Sequence, residues 1–227
     1  MRKIIIFSWA CVVLIFALAF YTWMQLPQLE QYPVHWNASG VPDRYGSKME
    51  VAFALFIMPF CAIFTFGIFV LIPKIEPVRA NVEANRRPYT YIWILTMLLL
   101  VGVSGFISYS YTNVEASPEI SEMPISFLIL TMSAFFIFIG NIMGKFKRNF
   151  LIGIRTPWTL SSDLAWDKTH RLVGRMFVGM GLLSLVSTFL MKPETALYIL
   201  VGLSLAITAF ALVYSYIVWN NDPDKRA

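Results

Sequence analysis

Two imidazoles, His35 and His170, are the best acid/base candidates in this 227-residue chain, because histidine changes charge closest to neutral pH. His35 stands in PVHWNASGVPDRYGSK, with Asp43 following in the same stretch. Imidazole and carboxylate are both metal ligands, yet two groups make a sparse set. No paired zinc motif, phosphate-binding glycine loop or nucleophile elbow accompanies them. His170 stands in NFLIGIRTPWTLSSDLAWDKTHRLVGR, where tryptophan, threonine and alternating charge interrupt a chain dominated by apolar runs. Whether the two histidines could share one general-base or metal site depends on the elements between them.

Those elements are hydrophobic. The chain is 58% hydrophobic and 16% aromatic, with a mean hydropathy of +0.65, which excludes an ordinary soluble domain. A hydrocarbon layer of about 30 Å needs roughly 20 apolar residues in helical form, since lipid offers no partner to an unpaired backbone group. Six segments qualify: Ile4 to Met24, Val51 to Ile72, Tyr91 to Ser110, Pro124 to Met143, Val173 to Met191 and Thr195 to Trp219. Only Arg175 brings a charge into them, and it can snorkel from the first turn of the fifth.

Of the 18 Lys and Arg residues, Arg44, Lys48 and Lys192 fall on one side of such a bundle. The other 15 fall with the two termini, which the positive-inside rule places in the cytoplasm. The net charge of +5 thus reports topology, and its spread over several membrane-proximal connections speaks against direct nucleic-acid binding. Ala17-Leu18-Ala19 imitates a cleavage site, but apolar sequence continues through Trp23 and Met24, as in a retained anchor. Cys11 and Cys61 lie inside spans and suggest packing, with neither a disulfide framework nor a metal site. The histidines fall on opposite faces of the membrane, so no catalytic site, metal site or cofactor is expected.

The first external connection is rich in residues suited to tight turns, Asn37, Gly40, Pro42, Asp43 and Gly46, and Pro33 biases Tyr32 to extended backbone. An ordered extracellular loop is expected, with Pro33, His35, Trp36, Asn37, Gly40, Asp43 and Lys48 as a recognition surface of an aromatic anchor ringed by polar groups. The competing reading seats Trp36 at the membrane interface and leaves the others satisfying loop hydrogen bonds. On the cytoplasmic side, Ser161 or Ser162 is placed to cap a helix beginning near Asp163. Asp163, Asp167, Arg171 and Arg175 then recur at i, i+4, while Trp166, His170, Val173 and Phe177 mark another face. This predicts an amphipathic lead-in running straight into the fifth span.

Upstream, Gly153 permits unusual backbone geometry, Arg155 can hold a carboxylate or carbonyl, and Pro157 with Trp158 forms a stiff corner at headgroup depth. Asn149, Gly153, Arg155, Thr156, Pro157, Trp158, Thr169, His170 and Arg171 are therefore candidates for a cytoplasmic docking surface. A folded loop packed on the bundle is the alternative. Elsewhere, Gly140 to Gly144 is a GxxxG pattern suited to close helix approach, Pro59 is expected to kink the second span, and Asn141 is expected to hydrogen-bond between helices.

PVHWNASGVPDRYGSK resembles the extracellular motif of a widespread bacterial domain of unknown function, of the form PxHWNxxGxPDxxxxK. The order Asn149, Gly153, Arg155, Thr156, Pro157, Trp158, Thr159, Leu160, Trp166, Thr169, His170, Gly174 is similar to the signature of the SdpI family of bacterial membrane immunity and signal-transduction proteins. The family's namesake protects a cell from a secreted killing peptide and retains a DNA-binding repressor at the membrane. The resemblance implies a secreted toxic peptide as the outer partner and a repressor as the inner one.

The reading is an all-α membrane protein, a six-transmembrane-helix bundle with an ordered extracellular loop and a cytoplasmic amphipathic loop and helix. It lies in the bacterial cytoplasmic membrane and acts as an immunity receptor without enzymatic activity. Three regions follow: 1–72 with the outer loop, 73–123 with the basic loop, third helix and an acidic outer loop, and 124–227 as the SdpI-like part. A small transporter is disfavoured because no span carries an ionisable residue near the midplane. An intramembrane enzyme is disfavoured by the separated histidines.

Overall fold

The computed structural model describes residues 2–75, 79–114, 122–150 and 152–225. The chain begins with α1 (Arg2–Gln25), forms a hairpin of β1 (Tyr32–Trp36) and β2 (Pro42–Gly46), and continues through α2 (Lys48–Ile75), α3 (Arg79–Ala84), α4 (Arg86–Thr112) and α5 (Glu122–Met143). Short α6 (Pro157–Ser161) precedes α7 (Asp163–Leu190) and α8 (Pro193–Asn220). Among the described residues, α1, α2, α4, α5, α7 and α8 are long and apolar enough to cross a membrane.

These helices expose large apolar side chains along their lengths, among them Phe20, Phe53, Phe64 and Phe189. That surface suits lipid, where an apolar exterior carries no penalty. Several hydroxyls inside the spans bond to their own helix, as Ser8 does to Ile4 O at 2.9 Å and Ser104 to Leu100 O at 2.7 Å. The Thr22 and Ser108 hydroxyls meet at 2.5 Å between α1 and α4. Pro59 falls inside α2 at a buried position. Asn141 departs from expectation: it is exposed, and its amide bonds to Ile137 O of its own helix at 3.1 Å, so it joins no second helix.

The core has two main parts. On one side Ile4, Cys11, Phe66, Phe69, Tyr89, Trp93 and Met97 join α1, α2 and α4, and Phe69 stacks on Trp93 with centroids 5.4 Å apart. On the other, Ile129, Ile142, Trp166, Val173, Met180, Leu200 and Ile207 join α5, α7 and α8. The α5–α7 crossing is close because Gly140, Gly174 and Gly181 carry no side chain there. The hairpin sits at the same end of the bundle as the α7–α8 turn, where Ser39 Oγ hydrogen-bonds Glu194. The α5–α7 connection sits at the end shared by the two termini, tied to the start of α4 through Asn85 and to the tail through Asp222.

Candidate functional site

The structure builds two polar sites at opposite ends of the bundle. At the end that holds the connection between α1 and α2, the expected ordered loop is an antiparallel hairpin. Its β-strands were not foreseen from the turn residues alone. Tyr32 pairs with Gly46, Pro33 with Tyr45, His35 with Arg44 and Trp36 with Pro42, with two irregularities in register. Asn37 closes the turn: its Oδ1 accepts from Ser39 N and Val41 N, both at 3.0 Å. Gly40 follows at φ +79°, a conformation in which a Cβ would be strained.

One edge of this hairpin is seated on the bundle. Tyr32 is 1% exposed, donates its hydroxyl to Pro27 O at 2.6 Å and packs with Leu26, Val51, Leu55 and Tyr111. Trp36 is half-buried and lies edge-on against Tyr111 at 5.6 Å. Lys48 Nζ stands 4.9 Å above the Trp23 ring, a cation–π contact that orients the start of α2. The opposite edge faces out. His35 Nδ1 and Asp43 Oδ1 are 2.5 Å apart, with side chains 64% and 44% exposed. Pro33 and Gly40 are buried, which removes them from any recognition surface and leaves His35, Asn37 and Asp43 as its open polar groups.

At the other end, the α5–α7 connection is held by a dense set of bonds. Asn149 Oδ1 accepts from Ile152 N at 2.7 Å, and its amide donates to Lys147 O at 2.9 Å. Gly153 takes φ +118°, and a Cβ there would lie 2.5 Å from His170 Nε2 and 3.1 Å from Trp166. This permits Ile154 N to donate to His170 Nε2 at 2.9 Å. His170 Nδ1 faces Trp166 O at 2.8 Å, and the two rings stack 4.0 Å apart. Trp166 Nε1 in turn donates to Phe146 O at 2.8 Å.

With one nitrogen accepting an N–H and the other donating to a carbonyl, His170 is held as the neutral imidazole. It is fully buried, so neither nitrogen is open to a substrate, a metal or a docking partner.

Thr156 forms a capping box for α6, accepting from Thr159 N at 3.1 Å while Thr159 Oγ1 accepts from Thr156 N at 3.0 Å, and Pro157 occupies the first turn. Thr156 also reaches Ser215 Oγ of α8 at 3.2 Å, and Trp158 packs edge-on against Tyr216 at 5.3 Å. Ser162 caps α7 by accepting from Ala165 N at 2.8 Å, and it donates to Asp222. That bond, then the Asp224 N–H, holds the Asp222 carboxyl below the ordinary aspartate range.

The lead-in helix runs without a break into the fifth span, and its charges follow the i, i+4 expectation in part. Asp167 and Arg171 pair at that spacing across 3.8 Å, whereas Asp163 bonds Arg148 at 2.7 Å.

The nine docking candidates of this end therefore divide by exposure. Asn149, Thr156, Thr169 and His170 are buried and shape the loop, correcting their assignment to a surface. Gly153, Arg155, Pro157 and Arg171 are exposed, and Trp158 is half-exposed. Arg155 Nη1 donates to Phe150 O at 2.5 Å. Arg148, Ser162 and Asp222 complete the assembly; spacing gave no signal for the contact between Ser162 and the tail, whose partners are 60 positions apart.

Residues 145–215 match the SdpI/YfhL protein family, and residues 10–63 match a domain of unknown function, DUF1648. The chain is 28% identical over 213 residues to "Immunity protein SdpI" of Bacillus subtilis (strain 168), covering 90% of this chain and 93% of that one. No solved structure matches it. Within one six-helix membrane bundle, the chain thus carries a stretch similar to DUF1648 and a stretch similar to the SdpI/YfhL protein family.

Proposed function

We propose that this protein is an immunity receptor of the bacterial cytoplasmic membrane, with both termini in the cytoplasm. Its similarity to an immunity protein along nearly the whole chain carries the reading. Support for the orientation comes from the sequence, which puts 15 of its 18 Lys and Arg residues in the terminal segments and the connections on their side, the α5–α7 connection among them. The hairpin then faces outward, and its exposed His35–Asp43 pair beside the anchored Trp36 receives a secreted toxic peptide. The exposed crest of Arg155, Pro157, Trp158 and Arg171 faces the cytoplasm and recruits a DNA-binding repressor. Residues 1–72 supply the outer receptor, 73–123 the connecting third helix with its flanking loops, and 124–227 the reporting part.

The test is survival of a sensitive bacterium that expresses the chain and is challenged with supernatants of peptide-toxin producers. Protection by the wild type, lost in His35→Ala/Asp43→Ala at unchanged membrane abundance, is the expected result. Survival no better than that of cells without the protein, across such supernatants, refutes the immunity reading.

A further inference from the structure

A cavity of about 600 Å³ opens at the end of the bundle that carries the termini, between the start of α1, the end of α2, α3 and α4. Phe7, Ile72, Tyr89 and Trp93 form its apolar wall. Lys3 and Arg86 stand at it, both exposed and, among the described residues, neither with an ion-pair partner. Glu83 is the one carboxylate among the lining residues, so the site stays net positive.

We infer that this cavity binds an anionic phospholipid from the adjacent leaflet. Two features converge on that occupant. Lys3 lies in the first turn of α1 and Arg86 begins α4, so both cations sit at headgroup depth, where basic pockets between helices take up phosphate. The apolar wall suits an acyl chain, which a free phosphate lacks. Asn149 and Ile152 also line the cavity, so the bound lipid abuts the loop that presents Arg155.

Native mass spectrometry of the detergent-purified full chain tests this, with dioleoyl phosphatidylglycerol, dioleoyl phosphatidylcholine and soluble glycerol phosphate as probes. The wild type retains phosphatidylglycerol in preference to phosphatidylcholine by roughly tenfold, the scale expected of two cations near a lipid phosphate. Lys3→Gln/Arg86→Gln abolishes the preference, whereas the charge-retaining Lys3→Arg/Arg86→Lys keeps it. Lys145→Gln/Lys168→Gln, which removes two charges outside the cavity on the same side, also keeps it. Equal retention of both lipids by the wild type overturns the inference. So does equal loss in the Lys145/Lys168 variant, or displacement of phosphatidylglycerol by glycerol phosphate, which would mark a phosphate site.

Discussion

Gly140 of α5 and Gly174 of α7 meet backbone to backbone. A Cβ on Gly140 would lie 2.5 Å from Gly174 O, and one on Gly174 would lie 2.6 Å from Gly140 O. The crossing positions Trp166 and His170, and with them the α5–α7 connection. Gly174→Ala must push the helices apart, at about 1–3 kcal/mol from overpacking, and should lower the amount of folded protein in the membrane. Gly179→Ala meets nothing within 4 Å and gains roughly 0.5–1 kcal/mol of helix preference. Melting the two purified variants side by side should move the midpoints in opposite directions.

The neighbouring pair, His170 and Ile154, separates scaffold from surface. His170→Ala leaves the Ile154 N–H without its acceptor and Trp166 without its stacked ring. The expected cost is about 1–3 kcal/mol for the unpaired group alone. Abundance, toxin protection and partner recruitment should then fall together. Arg155→Ala removes an exposed side chain whose hydrogen bond, among the described residues, is to Phe150 O, so abundance and protection should stay near wild type while recruitment is lost. Quantifying membrane protein, survival and repressor localisation in both variants checks this; parallel loss of all three in Arg155→Ala would make Arg155 structural as well.

Much of this was legible in the sequence, because apolar run length and helix caps are local signals. The six spans, the Ser162 cap and the unbroken passage from the lead-in helix into the fifth span all follow from them. The close approach of α5 to α7 was visible in the GxxxG pattern, whose Gly140 meets Gly174 and whose Gly144 meets Arg171. Burial was not legible. A polar residue such as His170 or Asn149 reads alike whether it binds a partner or satisfies the backbone of its own loop. The choice is made by long-range packing, here the Trp166–His170 stack. The hairpin was hidden because its strands are short and interrupted by proline, which masks the alternation of Tyr32, Val34 and Trp36.

Acid should loosen the tail from α7. Asp222 has its carboxyl held low, chiefly by the Ser162 hydroxyl. A depressed folded value means that the lock stabilises fully above the unfolded aspartate value near 4 and is lost as pH falls through the folded value. The bond should therefore be constant through neutral pH and fail only in strong acid. Melting temperatures of the purified protein should fall below about pH 4, and Ser162→Ala, which lacks the donor, should show less of that fall. An equal acid response in Ser162→Ala would assign the titration to another carboxylate.

The orientation of the bundle can be read with single cysteines, because the structure supplies exposed positions at both ends that avoid strained backbone. In a background lacking Cys11 and Cys61, Val41→Cys lies on the exposed hairpin turn and Lys168→Cys on the exposed side of the lead-in helix. Gly40 is a poor site, since its φ of +79° would strain any side chain. The charge asymmetry predicts that a membrane-impermeant thiol reagent added to intact cells labels Val41→Cys at once. Lys168→Cys should react only after the membrane is permeabilised. The opposite pattern would put the hairpin in the cytoplasm, beyond reach of any secreted peptide, and with it the immunity reading would fail.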